Sequence, residues 1–203
     1  MSGALTSLML GLAFGVIVVR RRTVAIALLA AQSLALGALA VDLADARSGY
    51  AVAAVLLGKA VVLPVLLYVL IRRTPEARPV LAPGGPMVRL AGAGAVALCA
   101  VVLTPPLGLG AAHAEHDAIA LVLVGIAIVI ARRPILFQLL GLIVAENGLS
   151  LLAVSVPGGL SYVIEFGALF DLALIVTVGA AFAQRIHDDL GTGDTELLRG
   201  LRD

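Results

Sequence analysis

Charged residues and cysteine are both scarce in this 203-residue sequence. Only 13% of the residues are charged, whereas a soluble domain carries about a quarter. Hydrophobic residues make up 61% of the chain, and the remainder is too small to cover the surface of a water-soluble protein of this size. Cys99 is the single cysteine, so an intrachain disulfide and a cysteine-built metal site or cluster are excluded.

The sequence instead contains long apolar stretches. A bilayer core is about 30 Å thick, so a spanning helix needs roughly 20 apolar residues. Seven stretches approach this length: Gly3–Val19, Thr23–Val41, Tyr50–Ile71, Met87–Thr104, Glu115–Ala131, Pro134–Val156 and Leu160–Gln184. The sequence therefore predicts an all-α, polytopic membrane protein of about seven transmembrane helices, with a single bundle over residues 1–187 and a tail over 188–203.

The arginines provide a separate test of the helix count, because basic residues concentrate in cytoplasmic connections. The connections after the first, third, fifth and seventh stretches are basic: Arg20, Arg21 and Arg22; Arg72, Arg73, Arg78 and Arg89; Arg132 and Arg133; Arg185, Arg199 and Arg202. In the other connections the only basic residue is Arg47. This alternation predicts an N-terminus outside the cell, a C-terminus in the cytoplasm, and a multi-pass protein of the cell (inner) membrane.

Four ionisable residues fall inside the predicted helices, namely Lys59, Glu146, Glu165 and Asp171. Glu146 and Asp171 lie roughly 16 Å from a helix end, and Lys59 lies roughly 13 Å from the outer end. Charges at such depth are expensive and tend to be functional. Pro64 follows Lys59 and predicts a kink, because it cannot donate to the carbonyl of Ala60.

These charges allow two interpretations. They form a relay for protons or other ions, or they form buried ion pairs that fix helix packing. Nucleotide-binding loops, metal-ligand clusters and nucleophile–base sets are not visible in the sequence. We therefore expect a non-catalytic protein with no cofactor, no bound metal and no nucleic-acid partner.

Several short motifs, taken in their order, resemble a known family. They are residues 132–142, Glu146-Asn147-Gly148, the Glu-x5-Asp pattern of residues 165–171, residues 59–64, and residues 194–198 of the tail. Together they resemble component E of hydrogenase-4 and formate-hydrogenlyase type complexes over essentially the whole chain. The last three helices, residues 115–187, are also similar to the K subunit of respiratory complex I and to the C subunit of multisubunit Na⁺/H⁺ antiporters.

The resemblance implies a place in a larger assembly. Such subunits lie between antiporter-like membrane subunits and the part of the membrane arm that meets a cytoplasmic redox module. The family's charge-carrying carboxylates would correspond to Glu146 and to either Glu165 or Asp171. In the complex I pattern a glutamate directly follows the Gly-Leu pair, whereas Ile143 follows Gly141-Leu142 here.

Three hypotheses follow for the function. The first is an ion-translocating subunit of a hydrogenase-like or dehydrogenase-like complex. The second is a structural scaffold that joins antiporter-like and redox-module subunits without conducting ions. The third, an independent small transporter, is disfavoured because the sequence lacks the repeated halves that many transporters show.

Overall fold

The computed structural model describes residues 2–44, 47–73, 85–103, 105, 112–132, 134–155 and 162–190. These residues form seven α-helices: α1 (Ser2–Val18), α2 (Arg22–Asp42), α3 (Arg47–Arg73), α4 (Pro86–Leu103), α5 (Ala112–Ala131), α6 (Ile135–Ser155) and α7 (Tyr162–Leu190). Five of them, α2 to α6, are long and apolar enough to cross a membrane, and α1 is a shorter apolar helix. The prediction of an all-α, polytopic membrane protein is confirmed for this part of the chain.

The helix ends differ from the predicted boundaries. The third helix begins at Arg47 rather than Tyr50, and the seventh ends at Leu190 rather than Gln184. Hydropathy marks only the apolar part of a helix, while backbone hydrogen bonding continues into the polar region on either side. The sixth helix begins after Pro134, whose carbonyl accepts hydrogen bonds from the backbone N–H groups of Phe137 and Gln138. The connection over residues 74–84 and the tail over 191–203 lie outside the described residues.

The seven helices are arranged in two layers. The first layer contains α1, α2 and α3 in that order, and the second contains α4, α5, α6 and α7. Across the layers, α1 contacts α4 and α5, α2 contacts α6, and α3 contacts α7. Because α2 touches α1, α3 and α6, and α6 touches α2, α5 and α7, the middles of α2 and α6 lie at the centre of the bundle.

Glycines bring α5 and α6 into backbone contact. A Cβ atom on Gly148 would lie 2.8 Å from both the carbonyl oxygen of Ala118 and the backbone nitrogen of Val122. A Cβ atom on Gly141 would lie 2.7 Å from the carbonyl oxygen of Gly125. Small residues at helix interfaces permit this close approach in membrane proteins. The position of α6, and of the charged residue it carries, is therefore fixed against α5.

The outward faces of α3 and α4 are apolar and exposed. On α3 these residues include Val61, Val62, Val65 and Val69, and on α4 they include Met87, Val88, Leu98, Val101, Val102 and Leu103. A water-soluble protein rarely exposes such an extensive apolar surface. Lipid chains or apolar neighbouring subunits suit this surface because the exposed side chains are mainly apolar.

Candidate functional site

Lys59 and Glu146 form an ion pair at the middle of the bundle. Lys59 lies near the middle of α3 and is only 1% exposed, while the side chain of Glu146, near the middle of α6, is 15% exposed. The Nζ atom of Lys59 donates a hydrogen bond to Oε2 of Glu146. The structure thus brings together two of the four charges that the sequence placed inside the membrane, from helices that lie in different layers.

The second carboxylate oxygen of Glu146 is also hydrogen-bonded. The hydroxyl of Ser150, one turn further along α6, donates to Oε1 of Glu146 at 2.9 Å. Residues four apart on a helix lie on the same face, which is why this contact follows from their spacing. Glu146 therefore accepts a hydrogen bond from Lys59 at one oxygen and from Ser150 at the other, so both carboxylate oxygens have a donor.

A second polar network begins at the residue next to Glu146 and joins α6 to the first layer. Asn147, which directly follows Glu146, is completely buried and its Nδ2 atom donates to Oε1 of Gln32 at 3.0 Å and to Oγ of Ser33 at 3.1 Å. The Nε2 atom of Gln32 then donates to the carbonyl oxygen of Met9 at 3.0 Å. Polar contacts therefore extend from α3 through α6 and α2 to α1.

Gln32 and Ser33 were not among the site residues predicted from the sequence. Their signal was present, because they are adjacent polar residues within an otherwise apolar helix, and polar side chains between membrane helices often hydrogen-bond to one another. Asn147 also retains capacity for a further contact. Its Oδ1 atom is buried and has no hydrogen-bond donor among the described residues, so it can accept one more hydrogen bond.

A second polar contact marks the predicted outer end of the bundle. The hydroxyl of Thr6, in the second turn of α1, donates to Oδ2 of Asp117, near the start of α5. At the other end of the same two helices, Nη2 of Arg132 donates to the carbonyl oxygen of Val19 at 2.9 Å. The two contacts place α1 and α5 parallel, as alternating crossings of the membrane by successive helices require.

The other two predicted relay residues both lie on α7. Glu165 and Asp171 are part of α7, but their side chains lie outside the described part of the structure. This helix contacts both α3 and α6, the two helices that hold the ion pair. Helix α3 continues through Pro64 without interruption, and the kink expected there stays a prediction.

Arg132, which the sequence marked as a topology signal, is also a buried residue in the folded bundle. It directly follows α5 and is 96% buried, with 4% exposure, and its guanidinium carbon lies 3.6 Å from the centre of the Phe137 ring. Burial, together with the positive charges of Arg89 and Arg20, lowers the pKa of Arg132 to about 10, so the side chain remains charged at neutral pH. Arg133 lies outside the described residues.

The described residues contain no group of three or more histidine, cysteine, aspartate or glutamate side chains that could hold a metal ion. The fold and the buried contacts together define a polytopic helical membrane protein whose interior is charged and hydrogen-bonded near the middle of its helices. Comparison with known proteins identifies the family within this class of membrane protein. The chain belongs to the hydrogenase-4 component E family, as the sequence motifs indicated.

The family assignment comes from relatives in three bacteria. The chain is 30% identical over 148 residues to hydrogenase-4 component E of Escherichia coli (strain K12), which is 71% of this chain and 68% of that protein. The same values hold for the proteins of that name in Escherichia coli O157:H7 and Shigella flexneri. An uncharacterized protein of Mycobacterium tuberculosis is 29% identical over 91 residues, 45% of this chain and 41% of that protein. No protein-family model matches the chain, and no solved structure matches it.

Proposed function

We propose that this chain is a subunit of the membrane arm of a hydrogenase-type respiratory complex in the cell membrane. In this role it contributes Lys59 and Glu146 to the translocation of protons or Na⁺. Membership of the hydrogenase-4 component E family supports the assignment to a complex, with antiporter-like membrane subunits and a cytoplasmic redox module as partners. The buried ion pair between α3 and α6 is the observation that supports a path for ions.

The pair suits translocation because its two charges depend on each other. A proton that reaches Glu146 neutralises the carboxylate and leaves the Lys59 cation buried without its partner. Since an unpaired buried charge is costly, Lys59 must then release a proton or turn to another anion. A change in charge on α6 is thereby transmitted to α3.

Residues near the ion pair could take part in further steps of ion transfer. Asn147, the residue after Glu146, can accept a further hydrogen bond through its Oδ1 atom, and Glu165 or Asp171 on the adjoining helix α7 is the proposed onward carboxylate. The similarity of residues 115–187 to the complex I K subunit and the antiporter C subunit belongs to this same proposal. A water-linked row of carboxylates and a lysine suits proton transfer through a membrane, where ionisable residues commonly mark ion pathways.

A structural scaffold is the second candidate function, and the same ion pair favours it in a different way. A buried pair between α3 and α6 links the two layers of the bundle, and its loss would disturb helix packing. The two functions differ in one respect that an experiment can measure. Ion translocation needs side chains that change their charge, whereas a scaffold needs only a stable, correctly shaped bundle.

The test uses the native complex in inverted membrane vesicles of the host, with H₂, formate and NADH offered in turn as electron donors. Glu146→Gln should lower donor-driven proton uptake, followed by quenching of a pH-sensitive dye, by at least about tenfold, since positioned proton-transfer groups typically contribute that much or more. Because Lys59 is left without its partner, less complex should assemble than in the wild type, so proton uptake is expressed per amount of assembled complex on native gel electrophoresis. Repeating the assay in Na⁺-free and in NaCl buffer identifies the translocated ion.

The double variant Lys59→Met/Glu146→Gln separates the two candidates. It removes both charges, so neither side chain is left as an unpaired buried charge. Assembly should therefore return to the wild-type level. If the residues conduct ions, translocation stays low in this variant. Normal translocation by the assembled double variant would leave only the scaffold role. Asp117→Asn is the matched control, because it neutralises a carboxylate that contacts Thr6 near the bundle end and should leave translocation unchanged.

A further inference from the structure

Two buried arginines near the predicted cytoplasmic end of the bundle have no acidic partner among the described residues. Arg89, in the first turn of α4, is 9% exposed and Arg132 is 4% exposed. The Nε and Nη1 atoms of Arg89 and the Nε atom of Arg132 are buried without a hydrogen-bond acceptor in the described part of the chain. Native proteins rarely leave such groups unsatisfied.

The two side chains are also close enough to repel each other. The charges of Arg89 and of Arg20, which lies between α1 and α2, both act on Arg132. These three residues, Arg20, Arg89 and Arg132, are called the arginine cluster below. Arg132 is held in place by its bond to the carbonyl oxygen of Val19 and by the ring of Phe137. Arg20 is exposed, but Arg89 and Arg132 are buried. Burial of like charges without a counter-charge is costly, which favours an anion from outside the described residues.

The position of the arginine cluster indicates which anion it binds. Its members lie at helix ends, which is the depth of lipid headgroups in a spanning bundle. The two residues that precede Arg89 on α4, Met87 and Val88, are 75% and 68% exposed. A ligand here therefore meets donors for an anion on one side and an apolar surface on the other, and an anionic phospholipid has both parts.

We propose that the arginine cluster is a binding site for the phosphate headgroup of an anionic phospholipid, whose acyl chains lie along the exposed face of α4. Phosphate oxygens accept hydrogen bonds from the buried guanidinium groups of Arg89 and Arg132, and Arg20 adds positive charge at the entrance. Basic pockets between membrane helices on the cytoplasmic side bind anionic lipids in this way. The site is separate from the Lys59–Glu146 pair, so it stands independently of the proposed ion path.

The test is a lipid titration of the purified full-length chain in detergent, read by native mass spectrometry. The wild-type chain should retain phosphatidylglycerol in preference to phosphatidylcholine with the same acyl chains. Arg89→Gln and Arg132→Gln should each weaken phosphatidylglycerol binding by about tenfold, because each removes charge-assisted hydrogen bonds. Arg72→Gln is the control, since Arg72 is an exposed arginine on α3 that contacts Tyr68, and it should leave the preference unchanged.

Three outcomes would overturn the proposal. Equal retention of the two lipids by the wild-type chain would exclude a headgroup site, and this measurement requires no variant to fold. An undiminished preference in both folded variants would place the bound lipid elsewhere. Displacement of phosphatidylglycerol by millimolar inorganic phosphate would assign the cluster to a soluble anion. Arg89→Lys, which keeps the charge, should retain most of the binding and so exclude simple loss of fold as the cause.

Discussion

Removal of one member of the Lys59–Glu146 pair should destabilise the protein far more than removal of both. Glu146→Gln leaves a cation in a position that is only 1% exposed, with no carboxylate opposite it among the described side chains. Lys59→Met leaves a carboxylate whose side chain is 15% exposed and which still accepts a hydrogen bond from Ser150. The orphaned lysine is therefore the more costly of the two.

The expected magnitudes follow from this difference in surroundings. Loss of one partner from a buried pair costs roughly 3–5 kcal/mol, so we expect about 5 kcal/mol for Glu146→Gln and about 3 kcal/mol for Lys59→Met. Replacement of both charges by groups of similar size is often nearly neutral, and the double variant should lose no more than about 1 kcal/mol. The coupling energy between the two sites, which is the loss in the double variant minus the losses in the two single variants, is then about 7 kcal/mol or more in magnitude.

The measurement is equilibrium unfolding of the full-length chain in mixed micelles of increasing SDS fraction, followed by circular dichroism. In a thermal scan a loss of about 5 kcal/mol corresponds to a Tm lower by roughly 10–20 °C for a chain of this size. Arg72→Gln serves as the control for loss of an exposed charge. Strict additivity, in which the double variant loses as much as the two single variants together, would refute the assignment of an energetically coupled pair.

Two further predictions concern the helices that hold the pair. Gly148→Ala should destabilise the bundle by roughly 1–3 kcal/mol, because its Cβ would overlap Ala118 and Val122. The control is Gly11→Ala, whose Cβ meets nothing within 4 Å and which should be neutral or slightly stabilising. Equal Tm values for the two variants would contradict the close contact of α5 and α6. Asn147→Leu should cost roughly 1–3 kcal/mol, since the buried Gln32 loses a hydrogen-bond donor; a wild-type unfolding curve would show that the amide network contributes nothing.

Much of the fold could be predicted from local features of the sequence. An apolar run of bilayer length forms a helix wherever it stands, because its backbone groups find no other partners in lipid. The alternation of arginines adds the order of crossings. The all-α bundle and its seven helices followed from these two facts. The boundaries of α3 and α7 did not, since polar residues extend both helices past the apolar runs.

The pairing of residues inside the bundle was decided by the tertiary structure. Lys59 and Glu146 are 87 positions apart, and Asn147 and Gln32 are 115 apart. In a soluble helix, apolar periodicity marks the face that is buried. In a membrane helix the lipid-facing side is as apolar as the packed side, so the pattern does not show which helices become neighbours. The sequence could identify the charges at the middle of the membrane without identifying their partners.

Arg132 shows the same division between local and tertiary information. Its place after α5 and its charge were sufficient to explain it as a topology signal, and both are readable from the sequence. Its burial against Val19 and Phe137, and its nearness to Arg89, arise only when α1, α4, α5 and α6 come together. The sequence by itself determined the all-α membrane class, the seven helices and which charges lie within them. The packing of the two helix layers decided which charges are paired and which lack an acidic partner among the described residues, because only packing brings distant segments within hydrogen-bond range.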